Sequence, residues 1–148
     1  TILNNMISIR LPNTPDEWDD YYRLRYLVLR KPLGQPEGSE RNEGDLTGEH
    51  FALYEDDVLR AIARLDTYTP TISQVRFVAV DTSIQGKGYG KLIMEAVENR
   101  SKETGNTKMI LHARDYAVPF YEKLNYNIVE KSYKLFDVLQ HYLMEKEY

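Results

Sequence analysis

Residues 75–92, VRFVAVDTSIQGKGYGKL, decide how this chain folds. Val75, Phe77, Val78, Ala79 and Val80 form an apolar run that stops at Asp81, and Gly86, Gly88 and Gly90 then follow at alternate positions. The segment after them, KLIMEAVENRSKE, sets Leu92, Ile93, Ala96 and Val97 on one helical face. The stretch therefore reads as a buried strand, a glycine-rich turn and a helix N-terminus. The first N–H groups of a helix have no internal partner, and the macrodipole adds about half a positive charge there. Glycines let an anion approach that backbone, and Lys87 and Lys91 add mobile positive charge. The natural guest is a phosphate or pyrophosphate.

Two common phosphate-binding patterns do not fit. There is no Gly-Lys-Ser/Thr of a P-loop, and Gly86, Gly88 and Gly90 are wrongly spaced for a dinucleotide fingerprint. What is present is Gln85-x-x-Gly88-x-Gly90, directly after Val-Ala-Val. A second informative segment is Phe120-Tyr121-Glu122-Lys123-Leu124-Asn125-Tyr126. The first pattern resembles the acyl-coenzyme A signature of the GNAT superfamily of N-acetyltransferases. The second resembles that family's F-Y-E-K-x-G-F segment, with Asn125 and Tyr126 in place of Gly and Phe. Asn tolerates a left-handed helix end best after Gly, so the turn survives the exchange. The resemblance runs from Glu49 onward and is weaker before it.

The rest of the chain reads in order. Met6–Leu11 alternates as a half-buried strand, and Thr14-Pro15-Asp16-Glu17 opens a helix that continues to about Leu29. Lys31–Gly48 is rich in Pro, Gly and charge with no period. It reads equally as a solvated connection or, by the resemblance, as a border of the acceptor pocket. Strands are expected at His50–Tyr54, Val58–Asp66, Thr71–Val80, Thr107–Ala113, Ile128–Tyr133 and His141–Lys146. Helices are expected at Leu92–Glu103 and around Ala117–Leu124. The fold class is α/β (α+β): a mostly antiparallel mixed sheet of about six to seven strands. Helices lie on both faces, and the strands flanking the glycine helix form a parallel pair. All 148 residues are read as one acetyltransferase domain, with Thr1–Asn5 an untethered or non-native lead-in to Met6.

Composition narrows the function. With no cysteine there is neither a disulfide nor a thiolate site, and no metal-ligand motif is present, so no metal is expected. No run approaches a membrane span and no signal-peptide pattern opens the stretch, so no membrane and a cytoplasmic location are expected. A net charge of −4 argues against nucleic acid and is mildly compatible with a cationic amine as substrate.

The resemblance implies that acetyl-CoA is the co-substrate and a primary amine of a small molecule or protein is the acceptor, with direct attack in a ternary complex. The alternative is a non-catalytic acyl-CoA-binding module on the same fold. Either a monomer or a homodimer fits. The implied coenzyme contacts are Phe77, Val78, Ala79 and Val80 on the strand, and Gln85, Gly86, Lys87, Gly88, Tyr89, Gly90 and Lys91 in the loop. Ala117, Phe120, Tyr121 and Lys123 complete the set. Val78 would offer its backbone N–H to the thioester carbonyl, and Tyr121 would be the general acid toward the sulfur. Many relatives place a glutamate base near the central strand, where this chain has Gln74 and Arg76. His112 is the best replacement, with Glu49, His50 and Asp115 weaker. The family's asparagine before the last helix is missing from Asp115-Tyr116-Ala117.

Overall fold

The structure is a computed structural model describing residues 6–84 and 86–148, so Thr1–Asn5 and Gln85 lie outside the described residues. Its elements follow the expected order. They are β1 (Ile7–Arg10), α1 (Pro15–Leu29), β2 (Glu49–Glu55), β3 (Val58–Thr69), β4 (Ile72–Val80), α2 (Tyr89–Glu103), β5 (Lys108–Arg114), α3 (Val118–Lys123), β6 (Asn127–Leu135) and β7 (Leu139–Glu147). The strands form one sheet in the order β1-β2-β3-β4-β5-β7-β6. Only β4 and β5 run parallel, and the other neighbours are antiparallel. α1 covers one face through Tyr21 and Leu29 against Ala52, Tyr54, Ile62 and Ala79. α2 and α3 cover the other through Ile93, Met94, Val97, Val118 and Tyr121 against Leu53, Ala61, Ala63, Val75 and Leu111.

Local chemistry explains the helix ends. Thr14 accepts the Glu17 N–H at 3.1 Å, and Pro15 occupies the first turn, where its missing N–H costs nothing. The Glu17 carboxylate does not close a full capping box on Thr14. It accepts instead from Asn13 N–H at 2.8 Å and from Arg10 at 2.9 and 2.6 Å. α2 begins at Tyr89, three residues before the helix expected from Leu92, because its first turn absorbs Gly90 beneath Phe120. Asn125 ends α3 in the left-handed region (φ 72°), with its N–H on the Glu122 carbonyl and Tyr126 N–H on Tyr121.

Two features were not foreseen. First, β4 carries a bulge: Arg76 pairs with Arg64 and Ala79 with Ile62, so β4 holds one residue more than β3 over that interval. Phe77 sits in the bulge at φ 55°, an unusual position for an aromatic residue. Second, the 31–48 segment is ordered around buried charge. Arg25 and Arg64 are fully buried and share the Asp45 carboxylate, each at 2.8 Å; Arg64 also pairs with Asp66 at 2.7 Å. The segment includes two 3₁₀ turns, Lys31–Leu33 and Glu43–Leu46. It passes so close that a Cβ at Gly44 would lie 2.5 Å from Arg64 Nη2, and one at Gly48 would lie 2.5 Å from Asp66 Oδ1.

Burial by itself raises the Asp45 carboxyl, but hydrogen bonds from Asn42 N–H, Arg25 and Arg64 outweigh it and hold the group below the usual aspartate range. Its stabilising contribution is therefore complete above the ordinary aspartate pKa and is lost as pH falls through the lowered folded value. Asp45→Asn leaves the buried Arg25 without a carboxylate and Arg64 with Asp66 alone, and should cost about 3–5 kcal/mol in urea unfolding at neutral pH. That loss should shrink in acid, where the wild-type carboxylate is protonated too.

Candidate active site

β4 and β5 pair only from Ile72 to Gln74, against Lys108–Ile110, and then part. The gap is a cavity of about 840 Å³ lined by Val75–Val80 of β4, Leu111–Arg114 of β5 and the start of α2. Register assigns its two sides. Leu111 lies opposite Met144, and both join the core beneath α2. His112 and Arg114, opposite Leu143 and His141, therefore belong to the α1 face.

On the α2 side the cleft meets Gly86, Gly88, Tyr89, Gly90 and Lys91. Gly88 is the helix cap at φ 86°, no side chain among the described residues caps the helix, and its first turn holds no acidic residue. The free N–H groups and the positive dipole end are thus open to an anion. Phe120 and Tyr121 close this side, with ring centroids 4.9 Å apart. The Tyr121 hydroxyl makes no hydrogen bond among the described residues, and burial pushes its pKa up, so it stays protonated.

On the α1 side stand Arg30, Arg76, Arg114, His112, His141 and Tyr133. His112 Nδ1 is buried without a hydrogen-bond partner among the described residues. Burial, and then the charge of Arg76, lower the His112 pKa and keep the ring neutral. His141 Nδ1 lies 3.0 Å from the Leu139 carbonyl, which can only accept; Nδ1 therefore carries the proton and Nε2 is the bare nitrogen. Its ring stacks on Tyr133 at 4.4 Å.

Of the residues singled out from sequence, Phe77, Val78, Ala79, Val80, Gly86, Gly88, Tyr89, Gly90, Lys91, His112, Ala117, Phe120 and Tyr121 all line the cleft. Neither the β3 nor the β5 register pairs Val78. The Phe77 side chain packs toward α1, and the Tyr89 hydroxyl donates to Glu55 at 2.7 Å, so both reach the cleft mainly by backbone. Lys87 and Lys123 are exposed and do not form its walls. Gln85 lies outside the described residues. The weaker base candidates Glu49 and His50 are elsewhere: Glu49 pairs with Arg100, and His50 is held between Tyr21 and the Asp45 carbonyl. No residue of 31–48 lines the cleft. The segment acts at one remove, through the Ser39 carbonyl that accepts from Arg30 Nε at 3.1 Å. Arg30, Arg114 and His141 carried no local signal, because only the sheet brings them together.

A splayed parallel pair with an uncapped, glycine-rich helix start at its mouth defines an acyl-CoA-type transferase fold. Comparison with known proteins agrees: residues 35–148 match the family described as Acetyltransferase (GNAT) domain, and the chain belongs to that family. It is 40% identical over 146 residues to YyaT, an uncharacterized Bacillus subtilis protein, covering 95% of this chain and 96% of that one. It is 27% identical over 135 residues to YjcF, an uncharacterized N-acetyltransferase of the same organism, covering 89% and 94%. Its fold matches the crystal structure of an aminoglycoside 6′-N-acetyltransferase complexed with coenzyme A, with TM-score 0.79, 18% identity and 96% of each chain covered.

Gly90 has a packing reason independent of any ligand. A Cβ there would meet Phe120 Cζ at 3.0 Å and Val80 Cγ2 at 3.5 Å. Gly90→Val should therefore destabilise the fold by about 1–3 kcal/mol, read as a lowered urea midpoint with unchanged slope.

Proposed function

We propose that the chain transfers an acetyl group from acetyl-CoA to a primary amine, by direct attack in a ternary complex. The observation that carries this reading is the cleft's two-sided construction. One mouth, at the α2 N-terminus, suits a pyrophosphate; the other, under α1, carries neutral histidines; the unpaired backbone of Phe77 and Val78 lies between them. Donor and acceptor enter from opposite faces and meet in the gap.

The chemistry follows from the groups present. The loop amides at Gly86, Gly88 and Gly90, with Lys91, hold the diphosphate. The amine lone pair attacks the thioester carbonyl carbon, and Val78 N–H donates to the oxygen that becomes anionic. His112 takes the proton from the amine. The C–S bond then breaks, and the Tyr121 hydroxyl gives its proton to the departing thiolate. A phenol in a buried site suits that last role, because it remains protonated until the thiolate forms.

Tyr121→Phe should lower kcat by about 10²-fold or more while leaving the coenzyme A dissociation constant within about twofold, read by thiol release and calorimetry. Equal loss of both, or of neither, would assign the residue to packing. Coenzyme A should raise the melting temperature of the wild type, and Gly88→Val should abolish most of that rise, because a β-branched residue strains the φ of 86°. The acid limb of kcat/KM should lie below the ordinary histidine value of about 6.5, since the base must be unprotonated and its pKa is lowered. His112→Gln should remove that limb, whereas His141→Gln should leave it.

A further inference from the structure

The acceptor mouth of the cleft is strongly cationic. Arg30 at the end of α1, Arg76 on β4 and Arg114 on β5 converge there, each half-buried. Arg30 and Arg114 both donate to the same carbonyl, that of Leu29, at 3.2 and 2.7 Å. The Arg30 and Arg76 guanidinium carbons lie 5.7 and 5.1 Å from the centre of one ring, Phe77. Elsewhere Arg10, Arg25, Arg41, Arg60, Arg64 and Arg100 are paired with carboxylates. Among the described residues these three have no carboxylate partner, and no Asp or Glu lines the cleft. Donors are left over: Arg76 makes no side-chain hydrogen bond among the described residues, and Arg30 is engaged only through Nε and Nη1.

Three like charges held together in a half-buried cleft repel one another and are relieved by an anion. That anion is not the coenzyme diphosphate, whose candidate seat lies on the α2 side of the sheet. We propose that the acceptor is a small amine that itself bears a carboxylate or phosphate, and that Arg30, Arg76 and Arg114 hold this anionic group. The proposal rests on the acetyl-transfer reading above and names its substrate class. The net charge of −4, mildly compatible with a cationic amine, does not bear on this seat, because no Asp or Glu among the described residues lines the cleft. The same arginines aid the chemistry, because a positive field lowers the pKa of the bound ammonium and favours the nucleophilic free amine. A polyamine or aminoglycoside, with several positive charges and no anion, meets repulsion here.

Thiol release from acetyl-CoA, measured with L-glutamate, glucosamine 6-phosphate, glucosamine, spermidine and kanamycin, tests the class. Glutamate or glucosamine 6-phosphate should exceed spermidine and kanamycin in kcat/KM by tenfold or more; which of the two leads separates a carboxylate from a phosphate. Glucosamine should fall at least tenfold below its 6-phosphate if the phosphate leads. Arg76→Gln should raise KM for the preferred anionic amine by about tenfold, with coenzyme A affinity unchanged. Arg23→Gln, on the exposed side of α1, should change neither. Preference for spermidine or kanamycin, or an unchanged KM in both Arg30→Gln and Arg76→Gln, overturns the proposal. Anion binding is read separately, by amide chemical shifts of the coenzyme A-loaded protein titrated with L-glutamate and inorganic phosphate. Shifts around Arg30, Arg76 and Arg114 that vanish in Arg76→Gln support the anion seat even if no amine releases thiol, in which case only the acetyl-transfer reading fails. Absence of such shifts with both probes overturns the anion seat, whatever the turnover.

Discussion

The parting of β4 from β5 after Gln74 is the constraint on which the rest depends. A parallel pair normally continues its ladder, because unpaired backbone N–H and C=O groups inside a protein are costly. Here the ladder stops after three residues on each strand, and β4 bends away through a bulge at Phe77 and Val78. A non-glycine residue held at positive φ costs about 1–3 kcal/mol and persists only where its surroundings over-determine it. Those surroundings are visible. Four guanidinium groups, of Arg25, Arg64, Arg76 and Arg30, sit 4.2, 4.9, 5.1 and 5.7 Å from the Phe77 ring centre. At about 0.5–2 kcal/mol for each well-placed cation, even two of them offset the strain. The bulge therefore rests on the arginine cluster under α1, and the cleft rests on the bulge.

This chain of dependence gives the 31–48 segment its meaning. It supplies Asp45, which pairs with both fully buried arginines beneath Phe77 and with Asp66 of β3 balances their charge, and the Ser39 carbonyl, which accepts from Arg30. Its glycines at 44 and 48 are present because a side chain there would collide with Arg64 or Asp66. A stretch that looks unstructured by composition is thus the counter-charge for the site's foundation, although none of it lines the cleft.

Much of the α2 side was legible in the sequence because its signals are local. Phe120 and Tyr121 were marked by the family resemblance of their segment, whereas glycines at alternate positions after an apolar run describe their own geometry. The order of strands and helices, and the left-handed end at Asn125, were legible for the same reason. Of the α1 side, His112 alone was picked out as a candidate site residue. Phe77 carries no mark of positive φ, since an aromatic in an apolar run reads as ordinary strand. Arg25, a charged residue within the first helix, carries no local sign that it is fully buried. Arg30, Arg76, Arg114 and His141 come from four different elements or their ends, and only the sheet order β4-β5-β7 brings them to one mouth.

The electrostatics of the domain show why a whole-chain charge misleads. Screening confines the influence of an exposed charge to about 8–10 Å, so the acidic excess on the outer surface does little inside a half-buried cleft. What counts there is the local set, and that set holds arginines at one mouth and a helix N-terminus at the other, without a lining carboxylate among the described residues. Both mouths therefore favour negative charge, while the gap between them is walled by Val78, Ala79, Leu111 and Ala113. An electrostatic frame of this kind holds an anionic group at each mouth and leaves the uncharged gap at the unpaired strand between them. The acetyl transfer proposed for that gap needs little from the protein beyond a hydrogen-bond donor, a proton acceptor and a proton donor. Those are the roles proposed for Val78, His112 and Tyr121.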